Sequence, residues 1–80
     1  MKAIVHVVLK KEVLDPQGKA VESALRTLGF GEVSEVRQGK FFEITLDGSP
    51  DDARARLASM CEELLANPVI EDYRVSIPDA

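Results

Sequence analysis

EVSEVRQGKFFEITL (residues 32–46) sets Gly39 between two runs of strand-forming residues, and the architecture follows from how those runs are joined. Phe42, Ile44 and Leu46 alternate onto one side, so Lys40–Leu46 reads as a half-buried strand. Glu32–Arg37 reads as a second, less regular strand, because Val33 and Val36 have opposite parity. Gln38-Gly39 then becomes a two-residue hairpin turn, with the glycine supplying positive φ and the cations Arg37 and Lys40 on either side of it. The competing reading is a phosphate-gripping loop. That chemistry needs more glycines or a helix N-terminus aimed at the loop, and the spacing alone favours the turn.

Working toward the N-terminus, Ala3 to Leu9 is almost wholly apolar and rich in β-branched residues, as a central strand is. Asp15 is placed to cap a helix that begins at Pro16, where a missing N–H costs nothing. Ala20, Val21, Ala24, Leu25 and Leu28 recur at helical spacing, and Gly29 supplies the stop. Toward the C-terminus, Ser49 and Pro50 open a second helix, with Asp51 and Asp52 at the positive end of its dipole. Ala53, Leu57, Met60, Cys61, Leu64 and Leu65 form its apolar stripe, and Asn67-Pro68 ends it. A last strand turns Tyr73, Val75 and Ile77 inward.

The order β-α-β-β-α-β over residues 1–80 predicts a single α+β domain, ferredoxin-like, with an antiparallel sheet and two helices on one face. Its other face carries Ile4, His6, Val8 and Phe41, too apolar at the centre to be left in water, which predicts self-association there or along an edge strand.

Composition narrows the function classes. Net charge is -4, against the basic surface that nucleic-acid binding requires. A single cysteine excludes an internal disulfide and suits a reducing compartment, and no apolar run reaches the roughly 20 residues that span a bilayer. The N-terminal apolar run meets Lys10, Lys11 and Glu12 without a cleavage site, so it reads as mature, cytoplasmic protein.

Catalytic sets are hard to assemble from these residues. Cys61 and His6 fall on different elements and opposite sides of the predicted sheet, which separates nucleophile from base. His6 has no second histidine or cysteine at metal-ligand spacing. Asp51-Asp52 read as helix capping and Glu62-Glu63 as a solvated face. Glu71-Asp72, at the mouth of the last strand beside Pro68, remain open to a functional role, with a polar contact favoured over catalysis. A stand-alone dimeric regulatory domain that binds a small molecule between subunits competes with an interaction subunit at this point.

Three blocks carry a resemblance: Asp15-Pro16-x-Gly18 running on to Leu28-Gly29-Phe30, Arg37-x-Gly39-Lys40, and Asn67-Pro68-x-x-Glu71-Asp72-Tyr73. In this order and spacing they resemble the PurS family, the small subunit of phosphoribosylformylglycinamidine (FGAM) synthase. The resemblance implies a non-catalytic adaptor in the fourth step of de novo purine synthesis, where formylglycinamide ribonucleotide, ATP and glutamine give the formylglycinamidine ribonucleotide. It implies PurL and PurQ as partners, with the synthetase and glutaminase chemistry respectively, and support for ammonia passage between them. It further implies a homodimer or a tetramer, no cofactor in this chain, and ATP and Mg²⁺ on PurL. Docking is then expected from Asp15, Pro16, Gly18, Arg37, Gly39, Lys40, Asn67, Pro68, Glu71 and Asp72, with no catalytic and no metal-ligating residue here.

Overall fold

The computed structural model describes residues 1–48 and 50–78. Strand β1 (Lys2–Leu9) is central, flanked by β2 (Gly39–Thr45) and β3 (Glu71–Ser76) in the order β2-β1-β3, both antiparallel to it. Its position follows from its sequence, since only a strand paired on both edges and covered on a face needs so few polar residues. The register pairs Val5 with Phe42 and with Val75, which stacks the inward residues of the three strands in one row.

Helix α1 (Pro16–Thr27) is capped at Asp15, and its C-terminal glycine, Gly29, has φ +105°, as the capping pattern predicts. Helix α2 (Pro50–Met60) lays Ala53 and Leu57 on Ala3, Val5 and Val7 to make the core. The expected cap at Ser49 lies outside the described residues.

The stripe predicted for the second helix breaks at its end. Cys61–Leu65 form a π-helical turn, closed by Ala66 N–H donating to the Cys61 carbonyl at 2.9 Å. The wider turn changes the phase, so Cys61 and Ala66 are buried while Leu64 is 83 % exposed. Tyr73, Val75 and Ile77 pack against the core as their alternation predicts.

The element order fits the ferredoxin-like plan, with one slot filled differently. Glu32–Arg37, read above as a strand, joins no ladder in this chain. Its two valines cannot share a face, and its backbone is held by side chains of α1 instead. Gln38-Gly39 is accordingly no hairpin turn. Among the described residues positive φ occurs only at Gly29 and Gly48, while Gly39 is the first residue of β2. The requirement for glycine there comes from packing: a Cβ would stand 2.6 Å from both the Val7 carbonyl oxygen and Val8 Cγ1.

Candidate functional site

Antiparallel pairing brings the C-terminal end of β1 beside the N-terminal ends of both edge strands. Gly39 and Asp72 flank Val8, Lys40 faces Val7, and Glu71 faces Leu9. Lys10 N–H donates to the Ile70 carbonyl at 2.9 Å, which draws in the loop after α2. The three blocks that are far apart in sequence therefore meet at one end of the sheet, around a depression of about 250 Å³ lined by Leu9, Asp15, Gln38, Lys40 and Glu71 among others.

Asp15 is the polar centre of this end. One carboxylate oxygen accepts from Gly18 N–H at 3.0 Å, as an N-cap does, and the other accepts from Gln38 N–H at 2.7 Å. These bonds from Gln38 and Gly18, with Arg37 nearby, hold the carboxyl below its ordinary value of 3.8 against the opposing effect of burial. Two turns further on, buried Glu22 accepts from Val36 N–H at 3.2 Å and from Arg26 Nη1 at 3.0 Å. Arg26 in turn donates to the carbonyls of Val33 and Ser34, each at 3.0 Å. The segment that forms no ladder thus exchanges its backbone hydrogen bonds with a helix face. Gly18 sits under the crossing, where a Cβ would come within 2.6 Å of the Val36 carbonyl oxygen.

The depressed Asp15 carboxyl makes a signed prediction. A group whose folded pKa lies below its unfolded value adds stability that is complete above the unfolded value and lost as pH falls through the folded one. Wild type is therefore expected to lose stability more steeply than Asp15→Asn below about pH 3.8, and the two acid limbs of Tm against pH should converge there. Parallel limbs would show that Asp15 is not the group being titrated.

The two cations flanking Gln38-Gly39 have different occupations. Arg37 Nη2 donates to the Leu9 and Lys10 carbonyls at 3.0 and 2.9 Å, and Nη1 reaches the Val13 carbonyl at 3.5 Å, so its guanidinium closes the turn between β1 and α1. Lys40 is exposed, with Glu71 Oε2 at 4.0 Å and the Phe42 ring centroid at 5.8 Å from Nζ. Glu71 also accepts from Asn67 N–H at 2.6 Å, and Asn67 Oδ1 accepts from Val69 N–H at 3.1 Å. Asp72 lies 3.8 Å from Lys10. Pro16 starts α1 and Pro68 follows Asn67, shaping the two loops that meet here. Periodicity could not reveal that Glu22 and Arg26 belong to this network. Their i,i+4 spacing was legible, but the backbone they hold is up to fourteen residues away.

The open sheet face is as expected in its composition. Ile4 and His6 are half-buried, Val8 and Phe41 exposed, and the His6 and Phe41 rings stand 6.1 Å apart between centroids. His6 Nδ1 is buried without a hydrogen-bond partner in this chain. Cys61 is fully buried on the other side, where desolvation pushes its thiol pKa up. Tyr73, which donates to Glu62 Oε1 at 3.1 Å, is raised by desolvation first and by that carboxylate second. Among the described residues no three His, Cys, Asp or Glu side chains cluster to hold a metal ion, and no helix is long and apolar enough to cross a membrane.

A three-stranded sheet with one open apolar face, and an end where Asp15 and Arg37 are spent on backbone groups while Lys40 stays exposed, defines a small α+β interaction module. Comparison with known proteins makes the family explicit. The model of the PurS family, described as phosphoribosylformylglycinamidine (FGAM) synthase, matches residues 2–79, and the chain belongs to that family. It is 49 % identical over 78 residues to FGAM synthase subunit PurS of Bacillus subtilis, covering 98 % of this chain and 93 % of that one. It is 51 % identical over 75 residues to the Mycobacterium leprae subunit, covering 94 % and 92 %. Among solved structures, B. subtilis PurS superposes with a TM-score of 0.85 at 51 % identity over 94 % of each chain. A chain of the PurLQS structure from Thermotoga maritima does so with 0.84 at 33 % identity, over 94 % of this chain and 93 % of that one.

Proposed function

We infer that this chain is the small subunit of an FGAM synthase in purine biosynthesis, a part of a carbon–nitrogen ligase that itself carries no catalytic residue. Family membership over residues 2–79, together with the likeness to a chain of a PurLQS assembly, carries the reading. Its partners are a PurL-type synthetase and a PurQ-type glutaminase, and its task is to hold them together so that ammonia passes between their sites. ATP and Mg²⁺ belong to the synthetase, and the assembly works in the cytoplasm as a complex containing two copies of this chain. An adaptor contributes to rate by fixing two active sites in register and keeping a reactive intermediate from bulk water, without touching the reacting atoms.

Reconstitution tests this. Omitting the chain from a mixture of its cognate synthetase and glutaminase should lower glutamine-dependent FGAM formation by roughly tenfold or more, while activity with added ammonium salt changes far less, because external ammonia bypasses the transfer. Equal glutamine-dependent rates with and without the chain would sink the proposal.

The two cations of the second block separate docking from folding. Arg37→Ala removes charge-assisted bonds to Leu9 and Lys10 and is expected to cost about 1–3 kcal/mol of stability. Lys40→Ala loses only an exposed pair and a distant ring contact, worth about 0–1 kcal/mol. Lys40 is therefore the cleaner docking probe: its alanine variant should keep the wild-type urea midpoint and weaken co-elution with the partners. A Lys40→Ala chain that assembles like wild type would remove this residue from the interface.

A further inference from the structure

Leu64 and Val69 are the two most exposed large apolar side chains among the described residues, at 83 % and 81 %, and both belong to the end of the sheet where α2 gives way to β3. Leu14, also exposed, lies in the loop between β1 and α1 at that same end, and the bond from Lys10 N–H to the Ile70 carbonyl joins the two loops. None of the three belongs to the open sheet face or to α1.

The backbone is arranged to keep them outward. An uninterrupted α-helix would turn Leu64 onto the side of Leu57 and Cys61. The π-helical turn at Cys61–Leu65 puts a rarer geometry in its place, of a kind found most often at functional sites, and gives up the burial that helical spacing offered this leucine. Val69 sits on a loop tied at every step. Asn67 Oδ1 accepts from Val69 N–H at 3.1 Å, the Asn67 carbonyl accepts from Ile70 and Glu71 N–H at 3.1 and 2.7 Å, and Glu71 Oε1 accepts from Asn67 N–H at 2.6 Å. A surface already fixed in the free chain loses little entropy when something docks on it.

Its charge is one-sided around the leucine. Glu62 and Glu63, next to Leu64, are exposed, and among the described residues neither pairs with a cation; Tyr73 donates to Glu62 Oε1. Asp72, at the start of β3, is exposed with Lys10 no nearer than 3.8 Å. The whole chain carries a net charge of -4.

We propose that this end docks on the synthetase subunit, with Leu64 and Val69 entering an apolar groove whose rim is basic. This rests on the adaptor reading above and assigns one of its contacts. Charge selects the occupant: the synthetase holds ATP and a ribonucleotide phosphate, polyanions that require a concentration of cations, whereas glutamine has no net charge and makes no such demand of the glutaminase. Aliphatic side chains at the centre and carboxylates at the edge match the usual division of an interface into apolar core and polar rim.

Binding measurements on the full chain test this. Wild type, Leu64→Arg and Val69→Arg are each mixed with the cognate synthetase, with the glutaminase and with both, and complex formation is followed by sedimentation velocity. Both side chains are exposed, so the urea midpoint and the self-association of each variant should match wild type. Each substitution is expected to weaken binding to the synthetase at least ~100-fold and to leave binding to the glutaminase unchanged. Glu63→Lys should weaken it about tenfold at low ionic strength, with the difference shrinking as salt screens the pair. Variants that join the synthetase as tightly as wild type overturn the proposal, and so does a loss confined to the glutaminase. A wild-type chain that joins neither protein, in any of the mixtures, would instead overturn the adaptor reading itself.

Discussion

Gly18→Ala is expected to destabilise the protein by about 2–4 kcal/mol, although helix propensity alone assigns alanine a gain of about 1 kcal/mol at a helical position. The sign is decided by what lies over the helix start. An added Cβ would collide with Asp15 Oδ2 and stand 2.6 Å from the Val36 carbonyl oxygen, both inside contact distance. Asp15 could rotate away only by giving up Gly18 N–H and Gln38 N–H, and the Val36 carbonyl cannot rotate at all without moving the segment that Glu22 and Arg26 hold. Overpacking against backbone plus lost hydrogen bonds exceeds the propensity gain severalfold. Urea unfolding should show a lowered midpoint with an unchanged slope. A midpoint equal to or above wild type would mean that the crossing is looser than this geometry.

Leu57→Ala should cost more still. The residue is 0 % exposed and is the largest of the fully buried side chains, in a core otherwise built from Ala3, Val5, Val7, Ala53, Cys61 and Ala66. Buried leucine truncation costs about 2–5 kcal/mol, and a chain of this length has about 4–12 kcal/mol in total, so the variant should melt below or near 37 °C. Leu64→Ala, about two turns further on in the π-helical turn and facing solvent, should change stability by no more than about 0.5 kcal/mol. Similar melting temperatures for the two variants would show that the π-helical turn does not set the phase assigned to it.

That pair of leucines shows how far the sequence could be read. Helical spacing put both in one stripe, and an uninterrupted α-helix would have buried both. One inserted residue in the turn at Cys61–Leu65, which no propensity flags, moved Leu64 outward. The cap at Asp15, the stop at Gly29 and the inward alternation of β2 and β3 were all legible, because each depends on residues a few positions apart. The family blocks were legible too, but only as a pattern. Nothing local showed that Arg37 would be spent on the carbonyls of Leu9 and Lys10, or that Glu71 would turn back to Asn67.

Gly39 carries the distinction most clearly. By itself the sequence determined that a glycine was needed between Arg37 and Lys40, that β1 would be central and that an apolar sheet face would remain open. Only the tertiary structure decided why: no turn is made there, and the glycine instead lets β2 pass against Val7 and Val8. It also decided that Glu32–Arg37 would lie along α1 and that most of the apolar side of α1, Val21 and Leu28 among it, would stay exposed. Propensity and periodicity are properties of neighbours, whereas a hydrogen-bond partner or a steric limit is set by whatever the fold brings alongside.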